Sequence, residues 1–425
     1  MHINQDYLFW RKDLFFKLIF GLNSLLVFWF LANSIVGNKS PATSLLLLCS
    51  LLFLIPSLKK IPQIWSSQKW WIISLFAFGL FHLLHLWAHA VPLGDDYDKP
   101  AKAVAAVFIF LYLLRYGFSH QVVGIAIAIA ALAAGGYAIY EKFILELPRA
   151  GTMTNPIRYG YLVITVSLIC FFYIGIYKNR WFRLLFLMAG CVGAVGAYAT
   201  GTRGIALILL AVILFLIWQV LRRGYISRLK LVMLITVFIS VLVLIAANAN
   251  IFDRAVKRTQ MEVQRTLDGN LNTGVGHRLQ MWHTALYLGV SEPLTGAGTD
   301  YVQIRQKASA FIEQHGYDPG VLVRYGHFHN QYLDAFAKQG IPGVIVWCLL
   351  LAGALIGMRT RYRYAVLIIV ATLAVGGLTE AVLRSSRLFY LMVIGISIFR
   401  CLDYFEWEKG AGQFSLHNNH CIGKA

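Results

Sequence analysis

The stretch Arg324-Tyr325-Gly326-His327-Phe328-His329-Asn330-Gln331-Tyr332-Leu333-Asp334 lies between two strongly apolar parts of the chain. It closes a long polar segment, residues 249–341, after which the sequence becomes apolar again. Ionisable side chains beside bilayer-like segments are costly, and they commonly mark functional sites. We therefore interpret the apolar segments as a membrane scaffold that carries this stretch.

The composition is that of an integral membrane protein. Of 425 residues, 58% are hydrophobic and 13% are charged, whereas soluble domains carry about 25% charged residues. The net charge of +19 could indicate a nucleic-acid partner. In a membrane protein, however, Lys and Arg first set the orientation of the spans and attract anionic lipids. We expect membrane lipids as partners and no nucleic acid.

Apolar segments predict about twelve transmembrane helices, because about 20 apolar residues cross a bilayer as a helix. The expected class is an all-α integral membrane protein, with spans in residues 1–248 and 342–402, a long loop at 249–341 and a polar tail at 403–425. The predicted spans are 14–36, 42–58, 70–92, 101–118, 121–143, 158–177, 181–199, 204–222, 228–248, 342–358, 363–383 and 387–402.

Basic residues in the short loops predict the orientation. The loops on the side of the N-terminus are rich in Lys and Arg, as at Lys59-Lys60 and Arg222-Arg223, and such loops are usually cytoplasmic. An even number of spans then places both termini in the cytoplasm. The long loop is expected on the opposite face, which is the periplasm if the membrane is a bacterial inner membrane.

The long loop contains three predicted helices, at residues 252–267, 276–290 and 300–315. The first is basic and amphipathic, and such a helix could lie on an anionic leaflet. A solvated charged helix face is the alternative interpretation.

Arginines on the face of the long loop are informative because orientation does not require them. Arg158 and Arg203 lie near tight turns at span ends, and Arg384 and Arg387 lie between the last two spans. The alternative for each one is interfacial snorkelling. As a set, they indicate an anion-binding site.

Two other clusters could bind a metal ion or relay protons. Asp95-Asp96-Tyr97-Asp98 could hold a divalent ion, although we favour a solvated turn. His82, His85 and His89 recur on one face of a predicted span, where polar packing inside the bundle is the favoured interpretation. We predict no metal site and no cofactor.

Histidine and arginine together are suited to group transfer from a phosphate or diphosphate. Histidine is readily poised as a base near neutral pH. Arginine binds phosphate oxygens in a bidentate fork and stays charged. Enough fixed cations can replace a metal in stabilising the leaving group. Because ATP is absent outside the cytoplasm, the donor must arrive activated, as a polyprenyl diphosphate sugar does.

Four motifs follow one another across roughly residues 149–345, preceded by a weaker turn from Gly151-Thr152 to Asn155-Pro156. In this order, together with twelve spans and one long loop, they resemble the O-antigen ligases of the bacterial ligase/polymerase group. The four motifs are Thr202-Arg203-Gly204, Gly276-His277-Arg278-Leu279-Gln280-Met281-Trp282, Pro293-Leu294-Thr295-Gly296-Ala297-Gly298, and His329-Asn330-Gln331-Tyr332-Leu333 with its trailing Gly340-Ile341-Pro342-Gly343.

The resemblance implies a metal-independent, inverting glycosyltransferase of the membrane-embedded C type (GT-C). Such an enzyme moves O-antigen polysaccharide from undecaprenyl diphosphate to the lipid A–core on the periplasmic face. By motif position, His329 would be the base, while Arg203 and Arg278 would hold the diphosphate. A hydrogen-bonded loop anchor is the alternative role for His329.

The remaining candidate residues would bind the diphosphate or the sugar. His327 is the second choice for the base, or it orients the loop. Asn330 and Tyr332 belong to the same motif as His329. Three arginines come from the topology argument and not from a motif, namely Arg158, Arg384 and Arg387.

Three alternative functions remain open. An O-antigen polymerase uses the same donor, but we would expect two sizeable outer loops, and only one exceeds about 20 residues here. A protein O-oligosaccharyltransferase usually has a longer C-terminal soluble region. A flippase or other transporter for lipid-linked oligosaccharides would carry charges deep within its spans and an internal repeat.

Overall fold

The computed structural model describes residues 14–33, 41–92, 94, 97–151, 155–210 and 250–422. Regular secondary structure in these residues is helical, with no strand among them, which confirms the predicted all-α class. A π-helical turn at Tyr140–Ile144 and a 3-10 turn at Val382–Arg384 add to the α-helices.

The α-helices of the described residues are, in chain order, α1 (Leu14–Asn33), α2 (Pro41–Leu52), α3 (Leu54–Leu58), α4 (Ile61–Ala88), α5 (Asp98–Tyr116), α6 (His120–Ile139), α7 (Pro156–Ile174), α8 (Arg180–Ala199), α9 (Asn250–Leu267), α10 (Gly274–Ser291), α11 (Tyr301–Gln314), α12 (Gly320–Tyr325), α13 (Gln331–Leu355), α14 (Arg363–Gly376) and α15 (Ser386–Ile422).

Within the described residues, seven helices are long and apolar enough to cross a membrane, namely α1, α4, α6, α7, α8, α13 and part of α15. The chain is therefore a multi-pass membrane protein. Helices α2 and α14 are apolar but shorter than the predicted spans 42–58 and 363–383. The predicted span 228–248, and most of 204–222, lie outside the described residues.

The described residues of Met1–Ile205, Ile345–Gly376 and Val382–Ala425 form one compact unit, called unit 1 here. Helices α6, α7 and α8 pack closely within it. Glycine makes this possible, because a Cβ atom on Gly196 would lie 2.4 Å from the Cα atom of Gly135. Small residues of this kind let helix backbones approach each other in membranes.

Unit 1 also buries a charged side chain, Arg400, inside α15. Its Nε donates to Gln68 Oε1 at 2.9 Å, and its Nη1 donates to the carbonyl oxygens of Gly353 and Ala354, both at 2.9 Å. These carbonyls lie in the last turn of α13, where they have no partner within the helix. Arg400 therefore stabilises a helix end, which is a structural role for a buried charge.

The second compact unit, unit 2, comprises the described residues of Ala206–Val344 together with Gly377–Ala381. The helices predicted at residues 252–267, 276–290 and 300–315 agree closely in their bounds with the observed α9, α10 and α11. The apolar faces of α10, α11 and α12 meet in one core, so this part of the chain is a folded unit and not an extended loop. Core residues include Met281, Leu288, Ile304, Leu322 and Phe328.

Two glycine motifs of unit 2 meet at a kink in α13. Gly340 has a φ of +68°, and the Ile341 N–H donates to the Pro293 carbonyl at 2.8 Å. Gly296, also at a φ of +68°, lies so close that a Cβ atom there would be 2.2 Å from the Gln339 nitrogen. Side chains are excluded at both positions, because glycine alone adopts this φ freely and leaves room for the neighbouring backbone.

Candidate active site

The polar stretch that precedes α13 follows a tightly fixed backbone path. Helix α12 ends at Tyr325, and Gly326 caps it in a left-handed conformation with a φ of +60°. His329 is also left-handed, with a φ of +48°. This conformation is uncommon for residues other than glycine, and histidine is among those that tolerate it. Strained positions of this kind often occur at functional sites.

Asn330 begins α13 as its N-terminal cap. Its Oδ1 accepts hydrogen bonds from the backbone nitrogens of Tyr332 at 2.9 Å and Leu333 at 3.1 Å. These are two of the N–H groups that a helix start leaves without an internal partner. Its motif predicts Asn330 as a substrate-binding residue. Its amide oxygen holds the helix start in place directly after His329.

The segment Gly377–Ala381, which follows α14, runs alongside this stretch within unit 2. The Gln331 N–H donates to the Gly377 carbonyl at 2.6 Å, and Asn330 Nδ2 donates to the Leu378 carbonyl at 3.2 Å. These bonds bring Glu380 against the two histidines.

Glu380 bridges His327 and His329. His327 Nε2 lies 2.8 Å from Glu380 Oε1, and His329 Nδ1 lies 2.8 Å from Glu380 Oε2. Glu380 is fully buried, while the two histidines are 5% and 8% exposed. The imidazole rings of the two histidines are 4.1 Å apart between centroids. We call these three residues the His-Glu-His cluster.

The hydrogen bonds assign the protons in the His-Glu-His cluster. Burial alone would raise the pKa of Glu380, but the hydrogen bonds from His327 and His329 outweigh it and lower that pKa below its ordinary value. Glu380 is therefore a carboxylate that accepts from both rings. His327 Nδ1 also faces an acceptor, the Tyr325 carbonyl. His327 can donate to both of these acceptors only as the imidazolium, with a proton on each nitrogen.

His329 is placed to act as a base. When its ring is neutral, the bond to Glu380 puts the proton on Nδ1 and leaves the lone pair on Nε2. Among the described residues, Nε2 has no hydrogen-bond partner. A carboxylate that fixes the tautomer of a histidine in this way also stabilises the imidazolium that forms when the histidine takes up a proton.

Sequence reasoning missed Glu380, which lies inside the predicted span 363–383. A lone acidic residue in an apolar segment is a signal in itself, because such residues are commonly functional. The structure ends α14 at Gly376, so Glu380 lies in the connection that follows the helix. Its pairing with histidines more than 50 positions earlier could not be predicted from the sequence.

The His-Glu-His cluster also has the residue types that bind a divalent metal. Among the described residues, it is the group of three or more such side chains that could hold one, with donor atoms within 4.8 Å of one another. A metal bound here would need an imidazole lone pair from each histidine, so it would compete with protons for the ring nitrogens. The observed separations of 2.8 Å are those of hydrogen bonds.

Arg278 lies on α10 in unit 2 and is half-buried. Within the described part of the chain, its side chain makes no hydrogen bond or ion pair. Its neighbour His277 donates from Nε2 to Asn272 Oδ1 at 3.1 Å, and His277 Nδ1 lies 3.2 Å from the Tyr325 hydroxyl. Tyr325 in turn packs its ring against His329, with centroids 5.0 Å apart.

Arg158 and Arg203 lie in unit 1, on two segments that contact each other. Arg158 is in the first turn of α7, and Arg203 is exposed in the turn after α8. Thr202 Oγ1 donates to the Pro156 carbonyl at 3.2 Å, which joins the two segments. Arg149 Nε donates a hydrogen bond of 2.9 Å to the Thr200 carbonyl, which stabilises the turn that follows α8. The weaker turn motif and the Thr-Arg-Gly motif thus form one structure.

The remaining predicted residues are less informative. Tyr332 is half-buried in α13, and Arg384 is exposed in the 3-10 turn of unit 1. The side chain of Arg387, like Asp95 and Asp96 of the acidic cluster, lies outside the described part of the chain. Asp98 pairs with Lys102 at 2.6 Å, as in an ordinary helix surface pair.

The fold and the site together define a multi-pass helical membrane protein with a buried histidine–glutamate cluster outside its candidate spans. Residues 189–348 match the family model described as O-antigen ligase. Over this segment the chain is similar to the O-antigen ligase family, and this match confirms the predicted resemblance. The matched residues include Arg203, Arg278 and His329, but not Glu380.

A relative of similar length occurs in Haemophilus influenzae. It is 26% identical to this chain over 347 residues, which cover 79% of this chain and 84% of the relative. That protein is described as an uncharacterized protein. The family match therefore carries the functional argument, and it supports an activity of the O-antigen ligase or polymerase type.

Proposed function

We propose that this protein is an O-antigen ligase, an inverting glycosyltransferase that moves O-antigen polysaccharide from undecaprenyl diphosphate to a sugar of the lipid A–core. The observation that carries the proposal is His329, whose Nδ1 is held by the Glu380 carboxylate. The family match at residues 189–348 supports an activity of the O-antigen ligase or polymerase type.

In the proposed reaction, His329 Nε2 removes the proton from the attacking hydroxyl of the acceptor sugar. The hydroxyl oxygen bonds to the anomeric carbon of the donor as the bond from that carbon to the diphosphate oxygen breaks. The diphosphate leaves with the bonding electron pair. One displacement of this kind inverts the anomeric carbon, and Glu380 stabilises the imidazolium that forms.

Arg278 is proposed to bind the diphosphate. Its guanidinium makes no ion pair within the described part of the chain, so its charge is not neutralised there by a carboxylate. A planar guanidinium offers two parallel hydrogen bonds to phosphate oxygens. The same role is proposed for Arg203 from its motif, and donor binding for Arg158, Arg384, Arg387 and Tyr332. For His327, predicted to bind substrate or to orient the loop, the second role is proposed, because both of its ring nitrogens face acceptors within the protein.

The finer topology also belongs to this proposal. We propose twelve spans from the apolar segments and a GT-C-type arrangement from the family resemblance. The positive-inside pattern predicts that both termini lie in the cytoplasm and that the His-Glu-His cluster faces the periplasm. This arrangement would expose the cluster to a donor that is assembled and activated before it reaches the outer leaflet.

The test is transfer in membranes from a strain that lacks its own ligase and polymerase. The donor is a defined undecaprenyl diphosphate glycan, and separate reactions offer rough lipopolysaccharide, a second lipid-linked glycan or an acceptor protein. We expect glycan on the lipopolysaccharide alone, with the anomeric configuration inverted. Elongated lipid-linked glycan would indicate a polymerase, and a glycosylated protein would indicate an oligosaccharyltransferase. No product with any acceptor would refute the glycosyltransferase proposal.

EDTA should leave the initial transfer rate of the purified enzyme unchanged, because the proposed mechanism uses protons and fixed arginines in place of a metal. The measurement is the rate with and without EDTA after preincubation, followed by addition of Zn²⁺ or Mg²⁺. Inhibition that one of these ions reverses would assign the His-Glu-His cluster as a metal site and would contradict the base mechanism.

A further inference from the structure

Tyr325 contacts all three histidines of this region, each through a different part of the residue. Its ring packs edge-to-face on His329, with centroids 5.0 Å apart and planes at 73°. Its carbonyl oxygen accepts from His327 Nδ1, and its hydroxyl lies 3.2 Å from His277 Nδ1. Tyr325 is itself half-buried at the end of α12.

The bond between the Tyr325 hydroxyl and His277 has a defined direction. His277 Nε2 faces Asn272 Oδ1, which can only accept, so the proton of the ring is on Nε2. His277 Nδ1 then accepts from the Tyr325 hydroxyl. Burial, with the nearby Arg324, lowers the pKa of His277, which agrees with a neutral ring.

His277 is anchored to the start of α10. Its backbone N–H donates to the Thr273 carbonyl at 2.9 Å, and Thr273 Oγ1 caps the helix by accepting from Gly276 N–H at 2.9 Å. Arg278 is the next residue on this helix. The hydroxyl of Tyr325 therefore reaches the helix turn that carries Arg278, while its ring contacts His329.

We propose that Tyr325 is a positioning residue of the candidate active site. Its ring holds the His329 imidazole in place, and its hydroxyl ties that ring to the helix turn of Arg278. This inference rests on the proposed function, since it assigns His329 to the base and Arg278 to the donor. Packing against an aromatic ring restricts the rotation of an imidazole that Glu380 holds by one nitrogen alone.

Two substitutions separate the two contacts. Tyr325→Ala removes the ring, so we expect kcat to fall about ten- to a hundredfold, the effect of a misplaced catalytic group. Tyr325→Phe keeps the ring and removes the hydroxyl, so we expect kcat to stay near the wild-type value. The KM for the donor should rise about fivefold, which corresponds to the loss of one hydrogen bond.

Tyr317→Phe is the matched control. Tyr317 also lies in unit 2, and its hydroxyl is 2.8 Å from His283 Nδ1, so the substitution breaks a bond of the same kind outside the cluster. Its kcat and KM should be unchanged. If both Tyr325 variants lose folded protein but keep wild-type kcat and KM per folded molecule, Tyr325 is merely structural and the inference is overturned.

A second measurement does not depend on transfer. Diethylpyrocarbonate modifies accessible imidazoles, and mass spectrometry gives the rate at each histidine, with His283 as the internal reference. We expect faster modification of His329 in Tyr325→Ala than in the wild type. Equal rates of His329 modification in the wild type and in Tyr325→Ala overturn the inference, whether or not transfer is detected. Absence of transfer in the wild type refutes the proposed function instead.

Discussion

Replacing His329 with alanine should abolish glycan transfer while the protein still inserts into the membrane at wild-type levels. The substitution removes the Nε2 lone pair, and a positioned general base contributes about 10²–10⁴-fold to a rate. The measurement is the lipopolysaccharide ladder of a ligase-deficient strain that expresses the variant, with the protein quantified by immunoblot of the membranes.

His283→Ala is the control for this experiment. His283 lies in the same unit, is exposed, and bonds to Tyr317 and not to Glu380. Its ladder should match the wild type. A near-normal ladder from His329→Ala would remove His329 from the mechanism and would leave it as a loop anchor.

Glu380→Gln should also reduce transfer by about 10²–10⁴-fold, although Glu380 would not touch either substrate. In glutamine an NH2 group replaces one of the two carboxylate oxygens, so one of the two imidazoles would face a donor in place of its acceptor. The tautomer of His329 would no longer be fixed, and the imidazolium formed during the reaction would lose its counter-charge. The measurement is kcat with the defined donor and rough lipopolysaccharide.

Glu292→Gln is the matched control, since Glu292 is a partly exposed carboxylate of the same unit that pairs with Lys307 at 2.7 Å. We expect wild-type kcat from it. Glu380→Gln should fold, because the histidines can lose a proton and no buried charge is then left without a partner. Wild-type kcat from a folded Glu380→Gln protein would contradict the proposed role of the carboxylate.

The class of fold and half of the candidate site could be predicted from the sequence. Hydropathy located the seven described helices that are long and apolar enough to cross a membrane, because the length of a span and its apolar surface are local properties. Motif order led to the O-antigen ligases and to His329. The helices of the polar segment were also predicted closely, since each has its own apolar face.

The other half of the site depends on contacts between distant residues. Glu380 looked like part of a span, and its position became clear because Gly377 and Leu378 bond to the start of α13. Gly296 and Gly340 belong to two separate sequence motifs, although the backbones of these motifs are in contact in the structure. Neither pairing leaves a periodic signal in the sequence.

The proton count of the His-Glu-His cluster has a consequence for turnover. Before transfer, an imidazolium at His327 would balance the carboxylate of Glu380, and a neutral His329 would add no charge. In the proposed reaction His329 gains a proton, so the cluster ends each transfer with a net charge of about +1. A second acceptor can be activated once that proton has been released. In the proposed cycle, the recharging of the base is therefore a step separate from the transfer itself.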